Sequence, residues 1–107
     1  MGADLFADGE KVPEFLVWAQ KDKHSASLQR IQIIKGSITN SGARPSEKVF
    51  DVVCSDGLEV DPTTHRCPDN GARVNIEDCS ITNNVGATEL KATWRDPDFN
   101  PKDKAFY

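Results

Sequence analysis

Apolar residues along this chain fall into short runs rather than into a helical stripe. Phe15-Leu16-Val17-Trp18-Ala19, preceded by Pro13, is apolar at consecutive positions, which predicts a strand buried on both faces. It ends in the polar turn Lys21-Asp22-Lys23-His24-Ser25. Residues 28–39 carry the β-branched Ile31, Ile33, Ile34 and Ile38 between Ser27 and Asn40-Ser41-Gly42, and they predict the strongest strand of the chain. Gly36 inside that run predicts a bulge or the close approach of another backbone. Val49-Phe50-Asp51-Val52-Val53-Cys54 predicts a third strand, apolar on both faces apart from Asp51. The connection 39–48, with Gly42 and Pro45, then reads as a long hairpin loop.

From residue 55 to 84 the pattern breaks, and Asp, Asn, Gly, Pro, Thr and Cys dominate. Only Arg73-Val74-Asn75-Ile76 alternates in a way that predicts a further short strand. Residues 87–95 place Leu90, Ala92 and Trp94 on one face and Glu89, Lys91 and Thr93 on the other, which is strand alternation. A short helix is the competing assignment there, since Leu90, Thr93 and Trp94 also share a helical face. Asp96-Pro97-Asp98-Phe99-Asn100-Pro101 is a turn that ends the segment, and Lys104-Ala105-Phe106-Tyr107 reads as the start of a strand. The expected fold is mainly β: an open antiparallel sheet or incomplete β-sandwich of about four to six strands with long polar loops. Residues 1–107 are expected to form a single β-rich domain that is a piece of a longer protein.

Composition narrows the function classes. The chain has 13 Lys and Arg against 17 Asp and Glu, a net charge of −4, and its basic residues form no cluster. Such a surface repels a phosphate backbone, so no nucleic-acid partner is expected. No run approaches the roughly 18 apolar residues of a membrane span, and the opening Met1-Gly2-Ala3-Asp4-Leu5 has neither the basic nor the apolar part of a signal peptide. An apolar fraction of 37% leaves a modest core, so a covalent staple in the polar region would matter.

Three cysteines offer one. Cys54 closes a strand, while Cys67 and Cys79 sit among turn residues. A Cys54–Cys67 disulfide, closing a loop of about a dozen residues and worth about 3 kcal/mol, is the preferred reading, with Cys79 left unpaired. Reduced structural thiols remain an alternative. A zinc site is disfavoured, because there is no Cys-x-x-Cys and His65 and Cys67 stand only two apart. His24 and His65 read as surface histidines, since neither belongs to a carboxylate-and-nucleophile constellation. Asp96, Asp98 and Asn100 alternate like the start of a calcium loop, yet Pro101 stands where the glycine belongs and the closing glutamate is missing. Asp56-Gly57 and Asp69-Asn70-Gly71 read as turns. Trp18 and Trp94 are expected in the core, with a sugar-stacking platform as the alternative. No catalytic, cofactor-binding or metal-binding residue is expected in this chain.

Several blocks, in order and spacing, resemble one family of bacterial proteins. They are Phe15-Leu16-Val17-Trp18-Ala19-Gln20-Lys21-Asp22, Leu28-Gln29-Arg30-Ile31-Gln32-Ile33-Ile34-Lys35-Gly36 and Glu47-Lys48-Val49-Phe50-Asp51-Val52. The later ones are Asp61-Pro62-Thr63-Thr64-His65-Arg66-Cys67-Pro68-Asp69-Asn70-Gly71-Ala72, Asp78-Cys79-Ser80 and Trp94-Arg95-Asp96-Pro97-Asp98-Phe99, with Ala105-Phe106-Tyr107 beyond them. Together they resemble domain-of-unknown-function family 3604 over nearly the whole chain. The resemblance implies a longer, exported parent similar to the polymerase-and-histidinol-phosphatase superfamily of metal-dependent hydrolases, whose His, Asp and Glu ligands to divalent metal lie in other segments. It places this chain towards the family's C-terminal end, with a further strand and a partner for Cys79 beyond Tyr107. The expected role is thus a non-catalytic accessory segment whose partner is the remainder of the parent chain. An independent carbohydrate- or protein-binding β module is the alternative, and a calcium-dependent module using the Asp96 turn or residues 56–61 is a third.

Overall fold

The computed structural model describes residues 4–6, 11–38 and 44–107. Five strands follow one another among them: β1 (Glu14–Gln20), β2 (Arg30–Ile38), β3 (Ser46–Cys54), β4 (Glu89–Arg95) and β5 (Lys104–Phe106). They form two open antiparallel sheets, a ribbon of β1 and β4 and a three-stranded sheet in the order β3-β2-β5. No helix forms among the described residues. Residues 89–95 take the strand alternative, because Leu90 and Trp94 then turn towards the apolar interior while Glu89, Lys91 and Thr93 stay in water. Residues 39–43 of the expected hairpin loop, and Met1, Gly2 and Ala3 of the opening segment, lie outside the described residues.

Pairing follows the side-chain patterns. Glu14 faces Arg95 and Gln20 faces Glu89 at the two ends of the ribbon. Between β2 and β3 the register jumps once, at Ile31/Gln32, so that Val52 has no partner across the pair. The extra residue belongs to β3, so this is not the bulge expected at Gly36, where the β2–β3 pairing is regular. Gly36 faces Phe106 of β5, and a Cβ there would overlap the Phe106 ring. The close approach is therefore that of an aromatic ring lying across the strand, not of another backbone.

The interior is small and aromatic. Ile33, Phe50, Cys54 and Leu90 are its buried apolar residues. Trp94 of β4 joins the two sheets, with ring centroids 5.3 Å from Phe50 of β3 and 5.9 Å from Phe15 of β1. Tyr107 extends the cluster, 4.7 Å from Phe15.

Three sequence readings need correction. The run 15–19 is not buried on both faces: Phe15, Val17 and Ala19 turn inward, but Leu16 is 74% exposed and Trp18 65% exposed. The ribbon has only two strands, so a single inner face exhausts the available core. Trp18 is accordingly not a core tryptophan, whereas half-buried Trp94 is. Residues 73–76 form no strand, only an isolated bridge of Val74 to Ile81, and Val74 and Ile76 stay exposed because no second sheet covers them.

The Gly36 contact is testable. G36A is expected to push Phe106 aside, costing about 1 kcal/mol and speeding amide exchange along β5. In an F106A background the same change should cost less, and a urea-denaturation double-mutant cycle that shows simple additivity contradicts the contact.

Candidate functional site

Two buried polar centres organise the molecule. The first lies between the sheets. Lys35 and Lys48 stand directly opposite each other on β2 and β3, and like charges in that position repel. The turn after β4 relieves the repulsion. Lys35 Nζ donates to Asp96 Oδ2 and, at 2.8 Å, to the Asp98 carbonyl, while Lys48 Nζ donates to Asp98 Oδ2 at 2.6 Å. Tyr107 Oη donates to the same Asp96 oxygen at 2.6 Å, and the Asp98 N–H donates to Asp96 Oδ1 at 2.8 Å. Lys35 and Asp96 are both buried. Burial first, then the hydrogen bond to Asp96 and its charge, push the Tyr107 phenol well above its ordinary value of 10. The Lys48 hydrogen bond holds the Asp98 carboxyl below its ordinary value despite partial burial. Both oxygens of Asp96 are thus engaged inside the fold, which leaves the calcium-loop alternative without its first ligand.

The second centre is Asp51, also buried. Its carboxylate accepts from Gln32 Nε2 at 2.6 Å, from the Cys67 N–H at 2.7 Å and from Arg30 Nη1 at 3.2 Å, and Arg66 Nη1 approaches at 3.4 Å. Burial by itself raises the Asp51 pKa, but the hydrogen bonds from Cys67, Gln32 and Arg30, with the Arg30 charge, outweigh it and hold the group below its ordinary value of 3.8. The Asp51 N–H donates to the His65 carbonyl at 2.9 Å, so the loop also runs along the open edge of β3. Here Cys54 and Cys67 form a disulfide with Cα atoms 5.7 Å apart. Cys79 is a free, exposed thiol. His65 is not a bare surface histidine: it is half-buried, with its ring 5.3 Å from that of Phe50. His24 is exposed, its backbone N–H bonded to Asp22.

The polar segment 55–87 is held by hydrogen bonds instead of apolar packing. Asp56 accepts from Ser55, Asn70 and the Gly86 N–H, and Asn70 in turn accepts from Gln29. Leu28 and Ala87 exchange both backbone hydrogen bonds at 2.8 Å. Asp56-Gly57 forms a turn, and at Asp69-Asn70-Gly71 the Gly71 N–H donates back to Asp69 Oδ1 at 2.9 Å, with Gly57 and Gly71 at positive φ. Among the described residues no three His, Cys, Asp or Glu side chains are grouped so as to hold a metal. No helix among them is long and apolar enough to cross a membrane.

What the fold offers to other molecules lies on its two outer faces. On the ribbon, Leu16 and Trp18 stand side by side, flanked by the Arg95–Glu14 ion pair at 3.1 Å and by Gln20 bonded to Glu89 at 2.9 Å. On the three-stranded sheet, Ile34, Ile38 and Phe106 are uncovered. An open groove of about 1220 Å³ passes between Val12, Phe15, Phe99, Phe106 and Tyr107, with Lys35 on its wall. Sequence reasoning missed Lys35, Asp96 and Tyr107 as a set, and it missed Asp51 as a hub. The one available signal was a charged residue within an apolar strand run, at Lys35 and at Asp51.

These features define a β-rich protein with apolar side chains exposed on two outer faces and polar centres engaged inside the fold. The chain belongs to the family described as protein of unknown function DUF3604, which matches residues 1–107. No curated protein and no solved structure matches it.

Tyr107 is the single tyrosine, so ultraviolet titration reads it alone. It is expected to ionise well above pH 10, and D96N should bring the titration down towards the ordinary value. Its raised pKa contributes stability that is complete below pH about 10 and is lost as the pH climbs through the folded value. A wild-type midpoint near 10 would contradict the burial of the hydroxyl.

Asp51 acts in the opposite direction. Its lowered pKa contributes stability that is present above the ordinary carboxylate value and disappears as the pH falls through the folded value. D51N is expected to cost about 2 kcal/mol at neutral pH, less than a fully buried pair because Arg30 and Arg66 keep contact with water. Urea denaturation should show the gap between wild type and D51N closing as the pH is taken from about 7 towards 2; a gap independent of pH contradicts the charged hub.

Proposed function

We propose that this chain is a non-catalytic accessory segment of an exported metal-dependent hydrolase, seated against the rest of that protein through the outer face of β2, β3 and β5. The observation that carries the reading is the uncovered row of Ile34, Ile38 and Phe106 on one sheet face. An apolar row left on one sheet face marks a place where another layer can dock. The sequence resemblance to a superfamily of metal-dependent hydrolases supplies the class of reaction. The Cys54–Cys67 disulfide agrees with an oxidising compartment outside the cytosol.

The described residues do not fit a divalent metal. Asp51 is held by Arg30 and Gln32, Asp96 by Lys35 and Tyr107, and two of the three cysteines are joined to each other. On this reading the metal is held by other segments of the parent, and this chain braces them. A calcium-dependent role at the Asp96 turn has no support, for the same reason.

The test compares the chain with a longer family protein that contains it. Alone, with manganese, zinc or magnesium and p-nitrophenyl phosphate, the chain is expected to give no hydrolysis above the metal-ion background. The longer protein should hydrolyse and should lose the activity on chelation. In that protein, I34D with F106D should loosen the segment, read as faster proteolysis at its boundaries. Hydrolysis by the chain alone, or activity in the longer protein that survives metal removal, overturns the reading.

A further inference from the structure

We propose that the outer face of the β1–β4 ribbon binds a neutral oligosaccharide, with Trp18 as its stacking platform. The proposal is independent of the docking reading. Phe15, Trp94, Phe50 and Tyr107 fill the space between the sheets, so Trp18 and the Ile34–Phe106 face point to opposite sides of the molecule.

Charge is the first observation that selects the occupant. The face carries two acids and two bases, and each is neutralised within it: Arg95 pairs with Glu14 at 3.1 Å and Lys91 with Glu89 at 3.9 Å. No net field is left to recognise a phosphate, a sulfate or a charged peptide. The groups do keep hydrogen-bonding capacity, and Thr93, Lys91, Gln20 and Glu89 surround the apolar centre with donors and acceptors. A sugar ring presents the complementary pattern, with C–H bonds on its faces and hydroxyls at its rim. The negative face of an indole attracts polarised C–H bonds.

Size is the second. Each strand of the ribbon has seven residues, so the face measures about 23 Å by about 10 Å at ordinary strand rise and spacing. A short run of sugar rings fits along it, and a second copy of the chain or a protein partner is an outcome that the experiment below distinguishes. Leu16 and Trp18, about 7 Å apart along one strand, supply two adjacent apolar contacts in the direction of that run. Regular antiparallel pairing with Ala92 opposite Val17 anchors both from behind, so little side-chain or backbone ordering is needed on binding.

The experiment titrates the chain with cellohexaose, xylohexaose, mannohexaose and chitohexaose, followed by amide chemical shifts. At least one sugar is expected to give saturable shifts confined to residues 14–20 and 89–95. W18A should weaken that binding about tenfold or more, and W18F should retain part of it. Trp18 is exposed, so neither variant should disturb the fold, and amide dispersion in the same spectra verifies this. F106A, on the far face, should leave sugar binding unchanged. The proposal is overturned if no sugar of the panel shifts these residues at about 10 mM, or if the shifts survive W18A. It is overturned as well if sedimentation shows a dimer that W18A abolishes, or if Trp18 in the longer family protein is shielded from acrylamide. None of these results bears on hydrolysis or on the Ile34–Phe106 face, so this proposal and the accessory-segment reading can fail separately.

Discussion

An ammonium group taken out of water has to meet a carboxylate, and here Lys35 of β2 meets Asp96 just beyond the end of β4. That contact ties one sheet to the other. The apolar contacts of Phe15, Phe50 and Trp94 hold the sheets together but are non-directional, and many arrangements of three rings would bury similar area. The Lys35–Asp96 pair has few. It demands that the turn 96–98 lie over β2, and it gains Tyr107 as a third member, so the short β5 is held in place beside Gly36 by a hydrogen bond at its far end. Lys48 then finds Asp98 at the same turn. That outer pair is largely exposed and contributes little by itself, but it removes the repulsion between two lysines placed face to face.

Asp51 performs the corresponding task on the other side of the three-stranded sheet. A long polar loop has no apolar surface with which to dock, so it needs a covalent or charge-assisted attachment. The loop 55–70 has both. The disulfide fixes Cys67 to the end of β3, and Asp51 accepts the Cys67 N–H while collecting Arg30 and Arg66 around it. The unpaired Val52 lies between Asp51 and that disulfide. A register jump at this place turns successive residues of β3 to new directions, which suits a strand that must face the core through Phe50 and the loop through Asp51.

With these buried charges engaged in ties, the two outer faces are what the described residues turn towards other molecules. The two outer faces differ in character. The Ile34–Phe106 side carries an apolar row with exposed Glu47 and Lys104 at its edge, the apolar centre and polar rim of a surface that takes another layer of protein. The Trp18 side is narrow, electrically balanced and edged with hydrogen-bonding groups, as a small neutral ligand requires. One fold built from two incomplete sheets has two such sides because neither sheet can bury both of its faces.

The sequence by itself determined the elements: β-branched runs at 31–38 and 49–54, alternation at 89–95 and turn chemistry at 56–57 and 69–71 all form where local physics puts them. It also made Cys54 and Cys67 the natural staple, since a thiol at a strand end and another in a loop about a dozen residues later can meet. The tertiary structure decided which faces are buried. The run 15–19 has no polar alternation to say that Leu16 and Trp18 face water, and they stay there because no layer among the described residues lies over the outer face of the ribbon. In the same way Val74 and Ile76 alternate like a strand but have no sheet to join. Local pattern specifies a conformation through dihedral preference and period. Burial, and the pairing of Lys35 with Asp96 and Tyr107 across 61 and 72 residues of chain, depends on which surfaces the whole fold brings together, and no local pattern records that.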